Sequence, residues 1–448
     1  MSLEKKFKIW VIILAIASLI FRIGLVIEHS WHLQLSGDTF YYHWLGWLLA
    51  HGYGFISPFM FFHDTTAKYV AVNLNHISSY NVRVPTVFHP PVFSIFLAVG
   101  DLVGITSPGS QLILLCVIGS INVILISYLA KRIFNYNAGF VAAVLAAFYP
   151  AMWIIDLSLM AEQLTQLFIT LAIFLAYRLN DNPSYKLIVI AGVFSTICAL
   201  TRAELIMLVI LYAVIILRSK KKNFNIRFVK KLKMLAVLFI SFAIVLAPWT
   251  IRNLVTFKYP ELIAADAGNE LAISYCNSTY YGSEMGFAYF GCTGNVKLTK
   301  DETVFDHYET QKALNYIEAH KLRTLLILAI HEGRVFYVYK PAQQALSIQP
   351  YVDNMPMLAS ISEWYSSYFV NLSAIVGIFY LKRRKLFQLP LLVCVAIGLL
   401  SVMVSHGELR FLSDAEVAIV ILSSIGIAGI YGSVKAKFRS TLTINSIS

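Results

Sequence analysis

Long apolar runs separated by short polar segments dominate the pattern of this 448-residue chain. A helix of about 20 apolar residues is long enough to cross the hydrocarbon core of a bilayer. On this criterion we predict membrane-spanning helices at residues 8–27, 111–131, 136–154, 158–178, 187–201, 203–218, 233–250, 364–381, 386–404 and 412–431. With 58% hydrophobic and 13% charged residues, the chain is too apolar for a water-soluble protein of this size. The pattern predicts an all-α polytopic membrane protein.

Two further apolar segments are short or carry charges. The segment at 90–104 begins with two prolines and contains Asp101, and the segment at 324–339 contains His331, Glu332 and Arg334. We expect each to form a juxtamembrane helix on the outer leaflet. Whether either one spans the membrane stays open.

The basic residues lie in short segments between the apolar runs. Such segments mark the cytoplasmic side of a membrane protein. When the ten spans are threaded from a cytoplasmic N-terminus, every basic cluster falls on one side and the C-terminus is cytoplasmic as well. The formal charge of +12 is therefore explained by topology and membrane lipid, which leaves nucleic-acid binding the weaker account.

This topology divides the chain into three parts. Residues 1–250 form a first transmembrane module, which includes an outer loop at 28–110. Residues 251–363 form a second outer segment, and residues 364–448 hold the last transmembrane helices. Chemistry is expected on the outer side, where the large loops lie.

Two of the five cysteines, Cys276 and Cys292, fall in the second outer segment, with three glycines between them that let the chain turn back. A disulfide between them is expected in an oxidising compartment, and two unpaired loop thiols are the alternative. Cys116, Cys198 and Cys394 lie in apolar spans, where a thiol behaves as a small hydrophobic group.

A lone acid, Asp38, follows the first span and precedes a segment rich in tyrosine, tryptophan and histidine. Ionisable groups at a membrane surface are costly and are usually functional. The sequence Gly-Asp-Thr before a helix also fits a helix N-cap, which is the structural alternative. The cap explains the position of Asp38, but it does not explain the aromatic and histidine neighbours.

Other charged residues are predicted at the same outer level. Asp156 and Glu162 flank the turn between the third and fourth spans, and Glu162 at a helix start also has a dipole explanation. Arg202, Arg252 and Arg410 lie at outer helix ends, where guanidinium groups could bind a phosphate. Pairing with nearby acids, such as Glu408 beside Arg410, or snorkelling to the interface is the alternative for each arginine.

Motifs for other chemistries are missing from the sequence. There is no Walker-type phosphate loop, no GxGxxG and no GxSxG. Seven of the 11 histidines lie in or beside the first outer segment, but no HExxH or Cys/His pairing accompanies them, which disfavours a histidine zinc site. A divalent cation such as Mg²⁺ or Mn²⁺, held by carboxylates and a substrate phosphate, stays open.

Six motifs in order resemble the GT-C superfamily of membrane glycosyltransferases, in the bacterial branch of family 39-like enzymes with protein O-mannosyltransferases and lipid A aminoarabinose transferases. They are "SGDTFYYHWLGWLLAHGYGF", "VFHPPVFSIFLAVGDLVG", "YPAMWIIDLSLMAEQLTQLF", "ALTRAEL", "APWTIRN" and "GELRF". The resemblance covers most of residues 1–255 and the end of the chain. It implies a GT-C fold with an outer loop domain.

The resemblance also implies a function. A sugar would pass from a polyprenyl-phosphate donor to an envelope lipid, glycan or protein on the outer side of a bacterial inner membrane, with inversion. Asp38 matches the catalytic base of the family, Glu162 resembles a second functional carboxylate, and Asp156 near it is a third candidate catalytic acid.

The substrate would be held by further residues of the same motifs. Arg252 and Arg410 would hold the lipid phosphate, with Arg202 near them, and Tyr41, His89 and Glu408 would line the substrate pocket. Asp38 is followed by Thr39, which departs from the paired Asp-Glu of the protein mannosyltransferases and puts a protein acceptor in doubt.

Two other functions are weighed against the transferase. A transporter or flippase of lipid-linked saccharides predicts charges near the bilayer midplane and broken helices in inverted repeats, and the sequence has neither. A non-catalytic envelope scaffold is the other, and the acid and arginines retained at the outer helix ends count against it.

Overall fold

The computed structural model describes residues 2–62, 82–218, 228–293, 301–352 and 354–445. Parts of the first outer loop and of the basic segment at 218–233 therefore lie outside the described residues. The described residues form helices and hold no strand, only an isolated bridge between Ile56 and Pro85. The prediction of an all-α protein is confirmed.

Helices occur at all ten predicted spans and at both juxtamembrane segments, and further helices lie between them. They are α1 (Leu3–Leu25), α2 (Gly37–Ala50), α3 (Pro58–Phe62), α4 (Pro91–Leu102), α5 (Pro108–Ile133), α6 (Tyr136–Phe148), α7 (Glu162–Asp181), α8 (Tyr185–Ala199), α9 (Met207–Arg218), α10 (Phe228–Thr256), α11 (Ala267–Ser274), α12 (Asn277–Tyr281), α13 (Glu302–Ala319), α14 (Lys321–Val335), α15 (Pro341–Gln343), α16 (Gln349–Val352), α17 (Met357–Arg383), α18 (Leu389–Val404) and α19 (Ser413–Asn445). Short 3₁₀ and π turns connect several of them.

Four helical stretches of the described chain are long and apolar enough to cross a membrane: Leu3–Ser30, Pro108–Ile133, Phe228–Thr256 and Leu409–Ala436. Shorter apolar helices accompany them, among them α4, α6, α8 and α18. Together these helices show a multi-pass membrane protein. Many of the exposed side chains of α1 and α10 are isoleucine, leucine and valine, as a surface in contact with lipid requires.

The sequence predicted nearly continuous helix through the junction of α6 and α7, whereas the structure has an irregular connection there. Helix α6 ends at Phe148 because Pro150 has no amide hydrogen with which to continue it. Two 3₁₀ turns, Pro150–Met152 and Ile154–Leu157, follow before α7 begins at Glu162. The predicted spans at 136–154 and 158–178 are therefore shorter, and an irregular connection lies between them.

Helix α19 is central, since it packs against α5, α6, α7, α17 and α18. Its crossing with α17 is close because glycines face backbone there. A Cβ atom on Gly377 would lie 1.9 Å from the carbonyl oxygen of Leu422, and one on Gly426 would lie 2.1 Å from that of Ser373. Small residues allow such close helix approaches in membranes. This packing fixes the outer end of α19, where Arg410 lies just before the helix.

The second outer segment is tied to the first. Glu302, at the start of α13, accepts hydrogen bonds from the Thr86 hydroxyl at 2.9 Å and from the Val87 amide at 2.8 Å. Cys276 and Cys292 are joined by a disulfide within this segment. The hydrogen bonds of Glu302 hold the loop that carries His89 against the second outer segment.

Candidate active site

A cavity of about 380 Å³ lies where both outer segments meet the ends of α7, α18 and α19. This volume falls in the range of roughly 300 to 1,000 Å³ that is typical of small-molecule sites. Its polar and aromatic lining includes Asp38, Tyr42, His89, Glu162, Arg202, Glu204, Asp266, Glu270 and Arg410. Five of the residues predicted from the sequence therefore share one cavity, although they come from distant parts of the chain.

Asp38 lies in the first turn of α2, but it does not cap the helix. The N-cap is Ser36, whose amide donates to the Thr39 hydroxyl at 3.1 Å, while that hydroxyl donates to the Ser36 carbonyl at 2.9 Å. Because Ser36 and Thr39 satisfy the helix start, the carboxylate of Asp38 is available for other contacts. Its side chain is 24% exposed, and it lines the cavity.

Two cations hold the Asp38 carboxylate. Arg410 donates from Nη1 to one oxygen at 2.9 Å, and His89 contacts the other through Nε2 at 3.1 Å. Burial on its own would raise the pKa of Asp38. The charges and hydrogen bonds of His89 and Arg410 outweigh that effect and hold the pKa well below its usual range. Asp38 is therefore an anion at neutral pH.

His89 bridges two acids. Its Nδ1 lies 3.1 Å from Asp266, opposite the Nε2 contact with Asp38. Burial would lower the pKa of His89, but the charge of Asp38 and the hydrogen bonds of both acids raise it to about 10. The Tyr42 ring stacks on the imidazole at 4.8 Å, and the Tyr41 ring packs edge-on at 5.0 Å. His89 is thus a fixed imidazolium that orients Asp38.

Arg202 forms a second cationic centre on the cavity wall. It follows the end of α8 and donates to Glu162 at 2.8 Å and to Glu204 at 2.7 Å. Glu162 is the first residue of α7, so the irregular connection after α6 sets its position. The two arginines, Arg202 and Arg410, are the guanidinium groups that line this cavity.

The structure places four other predicted residues away from the cavity lining. Asp156 is buried in an ion pair with Arg22 of α1. Arg252 donates to the carbonyls of Thr86 and Phe55, at 2.8 and 3.1 Å. Tyr41 hydrogen-bonds the Thr86 hydroxyl at 3.0 Å. These three groups support the loop and helices around the site.

Glu408 is the fourth of these residues, and it supports Arg410. It lies 2.6 Å from the Arg410 Nε and 2.8 Å from Nε2 of His406. It is almost fully buried and stands behind the arginine. Glu408 therefore fixes the guanidinium that holds Asp38.

Sequence reasoning did not select Tyr42, Asp266 or Glu270 as site residues. Tyr42 lies beside Tyr41 in an aromatic run, and the sequence pattern does not distinguish which of the two rings lines the cavity. Asp266 stands at the N-cap position of α11, a helix too short to stand out from its sequence. One acid before a short helix of an outer segment and one in its first turn are the available signal, but nothing local links them to Asp38.

The described part of the chain contains no group of three or more His, Cys, Asp or Glu side chains placed to hold a metal ion. The acids of the cavity are paired with arginine or histidine, as for Asp38, Glu162 and Asp266. The described residues of the cavity therefore do not form a ready cage for a divalent cation.

Comparisons with known proteins agree with this architecture. The model of the dolichyl-phosphate-mannose-protein mannosyltransferase family matches residues 88–251, somewhat over a third of the chain. The structure of the oligosaccharyltransferase AglB from Archaeoglobus fulgidus, in complex with an inhibitory peptide and a dolichol-phosphate, is similar over 99% of this chain, with a TM-score of 0.51 and 15% identity. The chain has the GT-C fold.

The resemblance to the GT-C superfamily is confirmed at the level of the fold and of the partial family match. The chain spans about half of the archaeal enzyme, 52% of its length. A second structure of the Archaeoglobus fulgidus oligosaccharyltransferase, with zinc and sulfate, is similar over 96% of this chain and 51% of its own, with a TM-score of 0.48 and 13% identity. No curated protein matches the sequence.

Proposed function

We propose that the chain is an inverting membrane glycosyltransferase that moves a sugar from a polyprenyl-phosphate donor to an envelope lipid, glycan or protein. The observation that carries the proposal is the Asp38 carboxylate, which faces a cavity between two arginines in a GT-C fold. The matched family takes its name from a dolichyl-phosphate sugar, and the similar archaeal enzyme was solved with a dolichol-phosphate. Both are polyprenyl phosphates, which supports this class of donor.

The donor phosphate would lie between Arg202 and Arg410. Each guanidinium has five N–H donors, more than one carboxylate can accept, so it can bridge an acid and a phosphate oxygen. Apolar residues of α18, Leu400 and Val404, line the same cavity and would contact the start of the lipid chain. The negative charge that develops on the departing phosphate would be stabilised by both arginines.

Asp38 would act as the general base. An acceptor hydroxyl or amine attacks the anomeric carbon from the face opposite the phosphate, and its proton passes to Asp38. The bond from the anomeric carbon to the phosphate oxygen breaks, and its electron pair leaves with the polyprenyl phosphate. Inversion at the anomeric carbon follows from this single displacement.

Because Asp38 is paired with two cations, this scheme requires Asp38 to become more basic before it accepts a proton. A carboxylate held by His89 and Arg410 has a low pKa and is a weak base. A phosphate that binds Arg410 adds negative charge beside Asp38 and draws the guanidinium toward itself, which makes Asp38 more basic. Donor binding would therefore prepare the base for the acceptor.

The expected location is a bacterial inner membrane, with both termini cytoplasmic and the cavity on the outer side. The test incubates the purified chain in nanodiscs with radiolabelled polyprenyl-phosphate sugars and extracted envelope acceptors. Asp38→Asn should lower transfer by about 10²–10⁴-fold, the usual contribution of a general base. It should keep farnesyl phosphate binding.

The control is Asp181→Asn, which alters an exposed acid far from the cavity and should transfer at the rate of the unsubstituted chain. An α-to-β or β-to-α change between donor and product, read by NMR, tests inversion. Equal transfer by Asp38→Asn and the unsubstituted chain would overturn the assignment of the base. Absence of farnesyl phosphate binding would overturn the assignment of a polyprenyl-phosphate donor.

A further inference from the structure

Helix α11 of the second outer segment carries two acids that line the active-site cavity. Asp266 stands at its N-cap position, and Glu270 follows one helical turn later, since the Glu270 amide donates to the Asp266 carbonyl at 3.1 Å. Residues four apart on a helix lie on the same side of it. Each acid contacts a histidine, and the two histidines lead to Asp38 by separate routes.

The first route runs through His89. Its Nδ1 atom lies 3.1 Å from Asp266, and its Nε2 atom lies 3.1 Å from Asp38. A protonated imidazole donates from both nitrogens, whereas a neutral imidazole donates from only one. The negative charge of Asp266 therefore favours the form of His89 that can hold both acids at once. Because the His89 side chain is only 10% exposed, water competes little for these contacts.

The second route runs through His406. Its Nδ1 atom lies 3.6 Å from Glu270, and its Nε2 atom lies 2.8 Å from Glu408. Glu408 lies 2.6 Å from Nε of Arg410, whose Nη1 donates to Asp38 at 2.9 Å. Both His406 and Glu408 are buried. This route therefore ends on the oxygen of Asp38 that His89 does not contact.

The two routes close into a ring in which each base lies between two acids. We call this set of residues the charge ring: Asp38, His89, Asp266, Glu270, His406, Glu408 and Arg410. Helix α11 joins the two routes on the side of the ring opposite Asp38. In a low-dielectric space, such alternating charges strengthen one another's hydrogen bonds and fix one another's orientation.

Helix α11 is itself held at a fixed distance from α13. The Gly268 amide donates to the Asp306 carboxylate at 2.5 Å. A Cβ atom on Gly268 would lie 2.0 Å from the carbonyl oxygen of Asp306, so this close approach requires glycine. Glu302, on the same helix α13, binds the loop that leads to His89 through Thr86 and Val87. Helix α13 therefore sets the positions of both α11 and the His89 loop.

We infer that α11 is a positioning element of the active site, in which Asp266 orients Asp38 through His89 and Glu270 orients Arg410 through His406 and Glu408. The inference rests on the proposed function, which makes Asp38 the base and Arg410 a phosphate ligand. Both acids of α11 act through a histidine, so they are positioning residues and not catalytic ones. The matched family model ends at residue 251, before α11 begins.

The protonation of His89 gives a test that needs no sugar transfer. The full chain with isotope-labelled histidine is titrated in nanodiscs by NMR, and the His89 signals are assigned by their loss in His89→Gln. Asp266→Asn keeps the shape of the side chain but removes its charge, so the pKa of His89 should fall from about 10 by about 1–3. Gly268→Ala changes no charge but displaces α11 from α13, and it should also lower this pKa. Glu318→Gln, at a strongly exposed acid of α13, is the matched control and should leave it unchanged.

Transfer rates test whether each acid acts through its histidine. Asp266→Asn should lower kcat by up to about 10²-fold, the cost of a small displacement of a reacting group. In a His89→Gln background, Asp266→Asn should lower kcat no further, because the shared contact is already lost. Glu270→Gln and His406→Gln should be non-additive in the same way, both in kcat and in melting temperature. An acid with a merely structural role would lower kcat equally in both backgrounds.

The pKa change is assigned to Asp266 because the other groups around His89 are kept. Tyr41 and Tyr42 pack on its ring, and Glu302 acts on it electrostatically, and all three are unchanged in these variants. If Asp266→Asn does not fold, Gly268→Ala carries the titration.

The outcomes distinguish this inference from the transferase. An unchanged pKa of His89 in Asp266→Asn and Gly268→Ala would overturn the inference, even if sugar transfer is observed. Fully additive losses within either pair of variants would overturn the route through that histidine. If no donor supports transfer but the pKa of His89 falls as expected, the transferase proposal fails and the role of α11 in holding the charge ring stands.

Discussion

Asp156→Asn separates a structural acid from a catalytic one. The sequence predicts both Asp156 and Asp38 at the outer ends of membrane helices, but the structure places them in different surroundings. Asp156 is 1% exposed and paired with Arg22, whereas Asp38 faces the cavity. We therefore expect Asp156→Asn to lower stability and to leave the chemistry of the correctly folded protein intact.

The size of the stability loss depends on the hydrogen bonds that Arg22 keeps after Asp156 is replaced. Removing one partner of a buried ion pair costs about 3–5 kcal/mol, since the other charge is left without compensation. Arg22 keeps hydrogen bonds of 3.0 Å each to Ser18, Ala146 and Met152. These contacts hold the guanidinium in place, so we expect the lower end, about 3 kcal/mol.

Thermal unfolding of the purified chain in one detergent provides the assay. Asp181→Asn is the control, because it breaks an exposed pair with Arg132 that should be worth about 0–1 kcal/mol. The double variant Arg22→Met with Asp156→Leu removes both buried charges and should recover most of the lost stability. A normal melting temperature for Asp156→Asn, together with lost transfer, would refute the structural assignment.

Three further predictions concern other parts of the fold. The pKa of His89 is raised from 6.5 to about 10. The protonated His89 therefore stabilises the fold fully below pH 6.5, and this stabilisation is lost as pH rises through 10. His89→Gln should flatten the fall in melting temperature between pH 6.5 and pH 10. Arg252→Gln should lower the melting temperature but keep farnesyl phosphate affinity, because Arg252 binds backbone carbonyls. Replacing Cys276 and Cys292 by serine should cost about 3 kcal/mol for a closed loop of this length, measured by thermal unfolding.

Each of these predictions has a contrary result. A stability loss as steep in His89→Gln as in the unsubstituted chain would mean that His89 does not carry the pH dependence. A tenfold weaker farnesyl phosphate affinity in Arg252→Gln would place Arg252 in the phosphate site. Unchanged melting after loss of the disulfide would show that the second outer segment is held by its other contacts.

The sequence predicted the helices well because the length of an apolar run is a local property. The connection between α6 and α7 is the instructive difference. Its residues are apolar enough to extend either helix, yet Pro150 ends α6 and the chain forms two 3₁₀ turns. The position of Glu162 on the cavity wall depends on that break.

The candidate site was predictable only in part. The residue types at helix ends indicated Asp38, Glu162, Arg202 and Arg410, and the family resemblance added His89. The structure brings all five to one cavity. Nothing in the sequence separated Arg410 from Arg252, since both follow or end apolar spans. Their different roles depend on which carbonyls and carboxylates the folded chain places within reach.

The sequence alone determined that this is a helical membrane protein, and its pattern predicted acids and arginines at the helix ends of one side. Hydrophobic length and charge asymmetry are properties of short segments, so they need no tertiary contact. Only the tertiary structure decided the pairing of these charges. Asp38 meets Arg410 across 372 residues, and Asp156 meets Arg22 instead of the cavity. Such pairs form because packed helices fix which side chains share a low-dielectric space.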